Sequence, residues 1–248
     1  YADGAYGIDF AALEAGLADP QTAMMILCNP HNPVGELWDR ETLAKIGALA
    51  ARHHVVVVSD EIHCDLTDPG RDYVPFASVS PECRDNCVVC FAPTKTFNLA
   101  GIQTAGAMVP NPFLRHKVWR ALNTDEVAEP NVFAIPAAVA AYTKGDAWLD
   151  ALRAYLYENK QTVYRFAQEH IPGLRAVRGE ATYLVWLDCD AFCTDSEALA
   201  GDIRRKTGLY LSNGRQYGRG GERFLRMNVA CPRATLLDGL ERLRRALV

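Results

Sequence analysis

The sequence predicts an α/β fold: a mostly parallel sheet flanked by helices, followed by a smaller C-terminal α/β unit. Residues 1–110 alternate short apolar runs with helical patterns, and the pattern changes after the break at Ile171-Pro172-Gly173. Strand, helix, strand order implies parallel strands joined by helical crossovers.

The run 24–28, MMILC, reads as a strand stopped by Asn29-Pro30. Residues 39–52 read as a helix, with Asp39 as N-cap and Leu43, Ile46, Leu49 and Ala50 on one face. The β-branched run VVVV at 55–58 predicts a strand buried on both faces, and CVVCFA at 87–92 predicts another. Helices are expected over 112–122, 132–143 and 146–170. Beyond them, 181–188 and 223–230 read as strands, and 195–207 and 233–247 as helices. A domain boundary is expected near residue 145, giving a larger domain over 1–145 and a smaller one over 146–248.

The 248 residues are 49% hydrophobic and 23% charged, enough for one large domain or two modest ones. A formal net charge of −4 leaves no basic footprint for nucleic acid, and no apolar run reaches the length of a membrane span. Neither nucleic acid nor a membrane is an expected partner. Cys28, Cys90, Cys189 and Cys231 lie in apolar context, as free thiols do in a reducing compartment, so a cytoplasmic location is expected. Cys83, Cys87 and Cys90 have the spacing C-x3-C-x2-C, which iron–sulfur sites also use. Cys90 lies inside a strand-like run, however, which points to buried thiols, and no metal site is expected. The chain begins at Tyr1 with no signal-peptide pattern, which implies a processed or truncated product.

Each early strand runs directly into polar residues: Asn29-Pro30-His31-Asn32 after the first, Ser59-Asp60-Glu61-Ile62-His63 after the second, Pro93-Thr94-Lys95 after the third. The carboxyl ends of parallel strands share one edge, where ligands bind. Asn32, Asp60, His63 and Lys95 are therefore expected to converge. An aldehyde cofactor uses a lysine amine as nucleophile, a pyridine ring uses a carboxylate at its nitrogen, and a phenolate oxygen uses amide or imidazole donors. Pyridoxal phosphate (PLP) combines all three. Taken singly, Lys95 reads as a surface residue and His63 as a structural histidine. Tyr183 and Trp186 read as core, and Tyr217 as part of a surface loop.

NPHNPVG, SDEIH, PTKTFNLAG and FLRMNVACPR, in this order, resemble the fold-type I PLP-dependent aminotransferase family, and within it the MalY/PatB-like cystathionine β-lyase branch. The resemblance implies an aspartate-aminotransferase-like PLP fold and a homodimer. Lys95 matches the Schiff-base lysine, Asp60 the pyridinium partner, and Asn32 the donor to the phenolic oxygen. Arg226 matches the arginine that grips the substrate α-carboxylate, for which a guanidinium fork is suited. His63 stands where many aminotransferases have Tyr, as in the lyase-like branch. Gln103 and Ala92 replace common phosphate-binding Arg and Ser, which leaves Thr94 and backbone amides for the phosphate. The resemblance also implies that this chain corresponds to the C-terminal portion of such an enzyme, with a phosphate-binding glycine-rich turn lying in a segment before it.

The function so implied is α,β-elimination from cystathionine or another cysteine S-conjugate. Two alternatives stay open: an aminotransferase sharing the first steps, and a PLP-sensing regulatory domain without turnover.

Overall fold

The structure, a computed structural model, describes residues 1–2 and 4–248. It divides into two compact units: one of Ile8–His31 with Leu37–Ala151, the other of Tyr1–Gly7, Asn32–Glu36 and Leu152–Val248. The division expected at residue 145 differs from these limits. The chain passes from one unit to the other inside a helix, and the short stretch Asn32–Glu36 groups with the C-terminal residues through hydrogen bonds that local pattern does not reveal.

The first unit begins with α1 (Phe10–Leu17), whose N-cap Asp9 accepts from the amides of Ala11 and Ala12 at 3.0 Å. Then come β1 (Met24–Cys28), α2 (Arg40–Arg52), β2 (Val56–Asp60), α3 (Pro81–Asp85) and β3 (Cys87–Phe91). These are followed by α4 (Pro93–Thr96), β4 (Gly106–Met108), α5 (Pro112–Thr124) and α6 (Ala134–Lys144). Asp39 caps α2 as expected, accepting from Thr42 N at 2.7 Å. β1, β2 and β3 are parallel neighbours, and β4 closes the order β1-β2-β3-β4 antiparallel to β3.

The pleat sorts side chains by alternate residue. Leu27, Val57, Cys87 and Val89 pack with Leu43, Ile46 and Ala50 of α2 and with Phe76 and Cys83 in one buried cluster. On the alternate positions of β1, Met24 and Ile26 are 57% and 67% exposed. The expectation for 55–58 is met only in part. Val55 is buried ahead of the strand, Val57 is buried, and Val56 and Val58 are half-buried. The cysteine triplet is split between elements: Cys83 lies on α3, while Cys87 and Cys90, three residues apart in β3, point to opposite faces of the sheet.

The second unit receives α7 (Asp146–His170) and contains β5 (Arg175–Val177), β6 (Leu184–Asp188), α8 (Ser196–Thr207), β7 (Ser212–Asn213), β8 (Phe224–Asn228) and α9 (Arg233–Leu247). Its strands run antiparallel in the order β5-β6-β8-β7. Val163, Ala167, Val185, Leu187, Ile203, Leu225, Met227, Leu240 and Leu243 share one buried cluster, so α7, α8 and α9 cover a face of this sheet. Buried Asp188 accepts from Tyr1 Oη at 3.1 Å and pairs with Arg175 and Arg223, each at 3.2 Å. A buried carboxylate needs such partners, since burying an unpaired charge is costly.

Glu61, the residue after β2, is a buried carboxylate in the first unit. It accepts from Ser59 Oγ at 2.9 Å and from Phe76 N at 3.0 Å, tying the turn at Phe76–Ser78 to the end of the strand. Burial raises its pKa, the charge of Asp60 adds to the rise, and the hydrogen bonds oppose it. Glu61 thus holds its proton more tightly folded than unfolded. The resulting stability is fully present below the ordinary carboxylate range and is lost as pH rises through the folded value. Glu61→Gln keeps an acceptor without the charge. Urea unfolding at a series of pH values should show this fall with rising pH in the unaltered protein and a flatter profile in the variant. Parallel profiles would contradict the assignment.

Candidate functional site

The parallel register puts Cys28, Asp60 and Cys90 in one row at the carboxyl ends of β1, β2 and β3. Asp60 is half-buried, and its Oδ1 accepts from Ile62 N at 3.2 Å, which fixes the carboxylate over the turn that follows. That turn carries His63, which is buried and whose carbonyl accepts from Leu66 N at 3.0 Å. Burial raises the Cys90 thiol pKa, and the charge of Asp60 adds to it, which keeps the thiol protonated beside the carboxylate.

β3 runs into the single turn α4, begun by Pro93 in its first turn. Thr94 there is half-buried and Lys95 is exposed. The exposure of Lys95 agrees with its reading, taken singly, as a surface residue. Buried Thr96 anchors the turn, its Oγ1 donating to Asp65 Oδ2 at 3.0 Å. This Asp65–Thr96 tie fixes the turn that bears Lys95. It joins residues 31 apart in sequence, so no local pattern announces it. Asp60 is the last residue of β2, and His63, Thr94 and Lys95 follow the carboxyl ends of β2 and β3, adjacent parallel strands of the first unit.

Asn32 and Arg226 belong to the second unit, and there they meet. Arg226, in β8, donates from Nη1 to Asn32 Oδ1 at 3.1 Å and from Nη2 to Ser212 Oγ at 3.4 Å. The ring of Tyr217 lies 4.9 Å from its guanidinium carbon, a cation–π distance. Tyr217 sits on the short helical turn Gly214–Tyr217 and meets buried Trp186 edge-on at 5.6 Å, so it is a packed element and not a loose surface loop. Trp186 stacks on Phe224 and is core, as expected. Tyr183 is half-buried, its pKa raised by burial and lowered by the charge of Arg226. Ser212 carries no sequence signal, because β7 is two residues long and only its pairing with β8 brings the hydroxyl to Arg226.

Among the described residues no group of His, Cys, Asp and Glu is arranged to hold a metal ion, and no helix is long and apolar enough to cross a membrane. The residues of the first unit suit an aldehyde-bearing pyridine. The amine of Lys95 is accessible, the carboxylate of Asp60 is fixed, and the Thr94 hydroxyl lies one residue from Lys95. Ala92 and Gln103 add no charge for a phosphate. Gln103 is exposed and has a left-handed backbone, with φ 46°.

The motif-based reading is matched by three comparisons. A family model described as aminotransferase class I and II matches residues 1–243. Among curated proteins, cystathionine beta-lyase PatB of Bacillus subtilis is 44% identical over 245 residues, covering 99% of this chain and 63% of its own length. Protein MalY of Escherichia coli is 34% identical, with 96% and 61% covered. Among solved structures, cystalysin from Treponema denticola, which contains pyridoxal 5'-phosphate, superposes with a TM-score of 0.95 at 32% identity, covering 99% of this chain and 62% of that one. The PLP-bound C–S lyase from Staphylococcus hominis gives 0.91 at 32% identity, with 99% and 62% covered. The chain thus spans about three-fifths of the length of these relatives. The overlap fixes that share and not its position, so the expected assignment to a C-terminal portion does not stand. The α/β architecture, the strand-end motifs and the family model agree: the chain belongs to the aminotransferase class I and II family.

Proposed function

We propose that this chain carries catalytic residues of a PLP-dependent C–S β-lyase that cleaves cystathionine or a related cysteine S-conjugate. The observation that carries the reading is the placement of Asp60 at the carboxyl end of one strand and Lys95 just after that of its parallel neighbour, in a chain 44% identical to a protein named cystathionine beta-lyase. When bound, PLP supplies an aldehyde for the substrate amine and an electron-withdrawing ring for the electrons left at the substrate Cα. Lys95 Nζ would hold the cofactor and would be the base for the substrate Cα proton. The Asp60 carboxylate would keep a proton on the ring nitrogen, and His63, Asn32 and Thr94 would be donors to the cofactor's oxygens. Arg226 binds the α-carboxylate, its guanidinium already aimed by Asn32 and Ser212. In the net reaction the Cα–H and Cβ–S bonds break and the proton ends on the departing sulfur. Water then converts the released enamine to pyruvate and ammonia.

A homodimer in the cytoplasm belongs to the same proposal. The homodimer is supported by the apolar side chains exposed around α5 and α6, where Phe113, Trp119, Val132 and Phe133 are each at least 60% exposed.

Lyase and aminotransferase chemistry differ in what they consume. Given L-cystathionine alone, the holoenzyme should release pyruvate, ammonia and a thiol over many turnovers. An aminotransferase would stall after one turnover until a keto acid was supplied, and rescue by 2-oxoglutarate would overturn the lyase reading. A PLP-sensing domain would give no turnover with either.

Lys95→Ala should abolish both turnover and the visible absorbance of the bound cofactor. Because Lys95 is exposed, the thermal midpoint of the cofactor-free protein should stay within a few degrees of the parent. Normal pyruvate release by the variant would refute the assignment.

A further inference from the structure

Lys160, in the second unit, is fully buried at 0% exposure, and the chemistry proposed above does not use it. A fully buried lysine amine is retained at a cost and invites a reason. Its Nζ donates to Gly179 O at 3.2 Å. One turn further along α7, the Tyr164 hydroxyl accepts from Gly179 N at 3.3 Å. Positions i and i+4 of one helix face thus hold both peptide groups of a single glycine.

Gly179 is the pivot of a backbone clip. A Cβ there would lie 2.5 Å from Val34 O and 3.0 Å from Gly35 Cα. Gly35 has φ +81°, and a Cβ on it would lie 2.7 Å from Ala181 O, so both positions require glycine. Gly35 O accepts from Glu180 N at 2.8 Å and Ala181 N at 3.0 Å. Pro33 and Val34 are buried, and the next residue back is Asn32, which accepts from Arg226. The connection runs from Lys160 through Gly179 and Gly35 to Asn32 and so to the guanidinium.

We infer that Lys160, with Tyr164, is a positioning residue: it holds the clip between Gly179 and Gly35 that aims Asn32 at Arg226, and so sets how well the protein recognises a substrate α-carboxylate. The inference rests on the reading of Arg226 as the carboxylate ligand. Lys160→Met keeps the apolar stem and removes the amine. Without it the carbonyl of Gly179 loses its partner, the 179–181 turn loosens, and Arg226 loses the Asn32 side of its frame.

The test compares glycine with methylamine, which shares the amine and lacks the carboxylate. Neither has a β leaving group, so binding to the holoenzyme is read by cofactor absorbance without elimination. The unaltered protein should prefer glycine. Lys160→Met should cut that preference about tenfold, with methylamine affinity unchanged. Hydrogen exchange on the cofactor-free protein should quicken about tenfold at the amides of Gly179, Glu180 and Ala181 while β6 stays protected. Unchanged preference, or an equal loss for both ligands, would overturn the inference even if exchange quickens, because that is what a purely structural role gives. Should Lys160→Met fail to fold, Tyr164→Phe removes the other tie and must show the same selective loss, and full retention there would also overturn it. Arg226→Ala separates the two levels. If that variant keeps the preference for glycine, the reading of Arg226 fails. If it loses the preference while Lys160→Met keeps it, only the role of Lys160 fails.

Discussion

The register of the three parallel strands governs the first unit. Met24 pairs with Val56 and Val57 with Cys87, which brings Cys28, Asp60 and Cys90 level at one edge. A slip of one residue in β2 would turn Asp60 toward the α2 cluster and Val57 away from it. The register is held by what lies on the α2 side: Leu27, Val57, Cys87 and Val89 against Leu43 and Ile46. Apolar packing on one face therefore determines where Asp60 emerges on the other.

Asp60 and Glu61 show how neighbouring carboxylates take different duties. Asp60 ends β2 on the face opposite the α2 cluster, half-buried, with one hydrogen bond to the turn beyond it. Glu61 is buried and spends its lone pairs on Ser59 and Phe76, so it serves the fold. Thr96 and Asp65 repeat the division one strand over, anchoring the turn on which Lys95 stays accessible. In the second unit Arg226 is framed from three sides by Asn32, Ser212 and Tyr217. Such a frame reduces the orientational freedom a guanidinium would otherwise lose on binding.

Much of this was legible in the chain because it is written locally. The Asp39 cap, the apolar stripe of α2, the β-branched run of β2 and the Ile171-Pro172-Gly173 stop each act within a few residues, and α7 spans the expected 146–170. Short elements were missed. β4 is three residues beginning with Gly, β7 is two residues, and α1 is largely alanine and leucine with no clear polar face. The grouping of Asn32–Glu36 with the C-terminal residues was also invisible, since it depends on hydrogen bonds between Gly35 and residues 180 and 181. Motif order marked Lys95, Asp60, Asn32 and Arg226 but said nothing of Asp65, Ser212 or Lys160, whose partners are distant in sequence.

The proposed chemistry depends first on Lys95 as the residue that holds the cofactor. Borohydride reduction of the protein with pyridoxal 5'-phosphate would fix the pyridoxyl group wherever an amine holds the aldehyde, and peptide mass mapping would locate it. The modification is expected on the peptide containing Lys95 and not on those containing Lys45, Lys117, Lys144, Lys160 and Lys206. A pyridoxyl group found stoichiometrically on any of those lysines, with Lys95 unmodified, would contradict it.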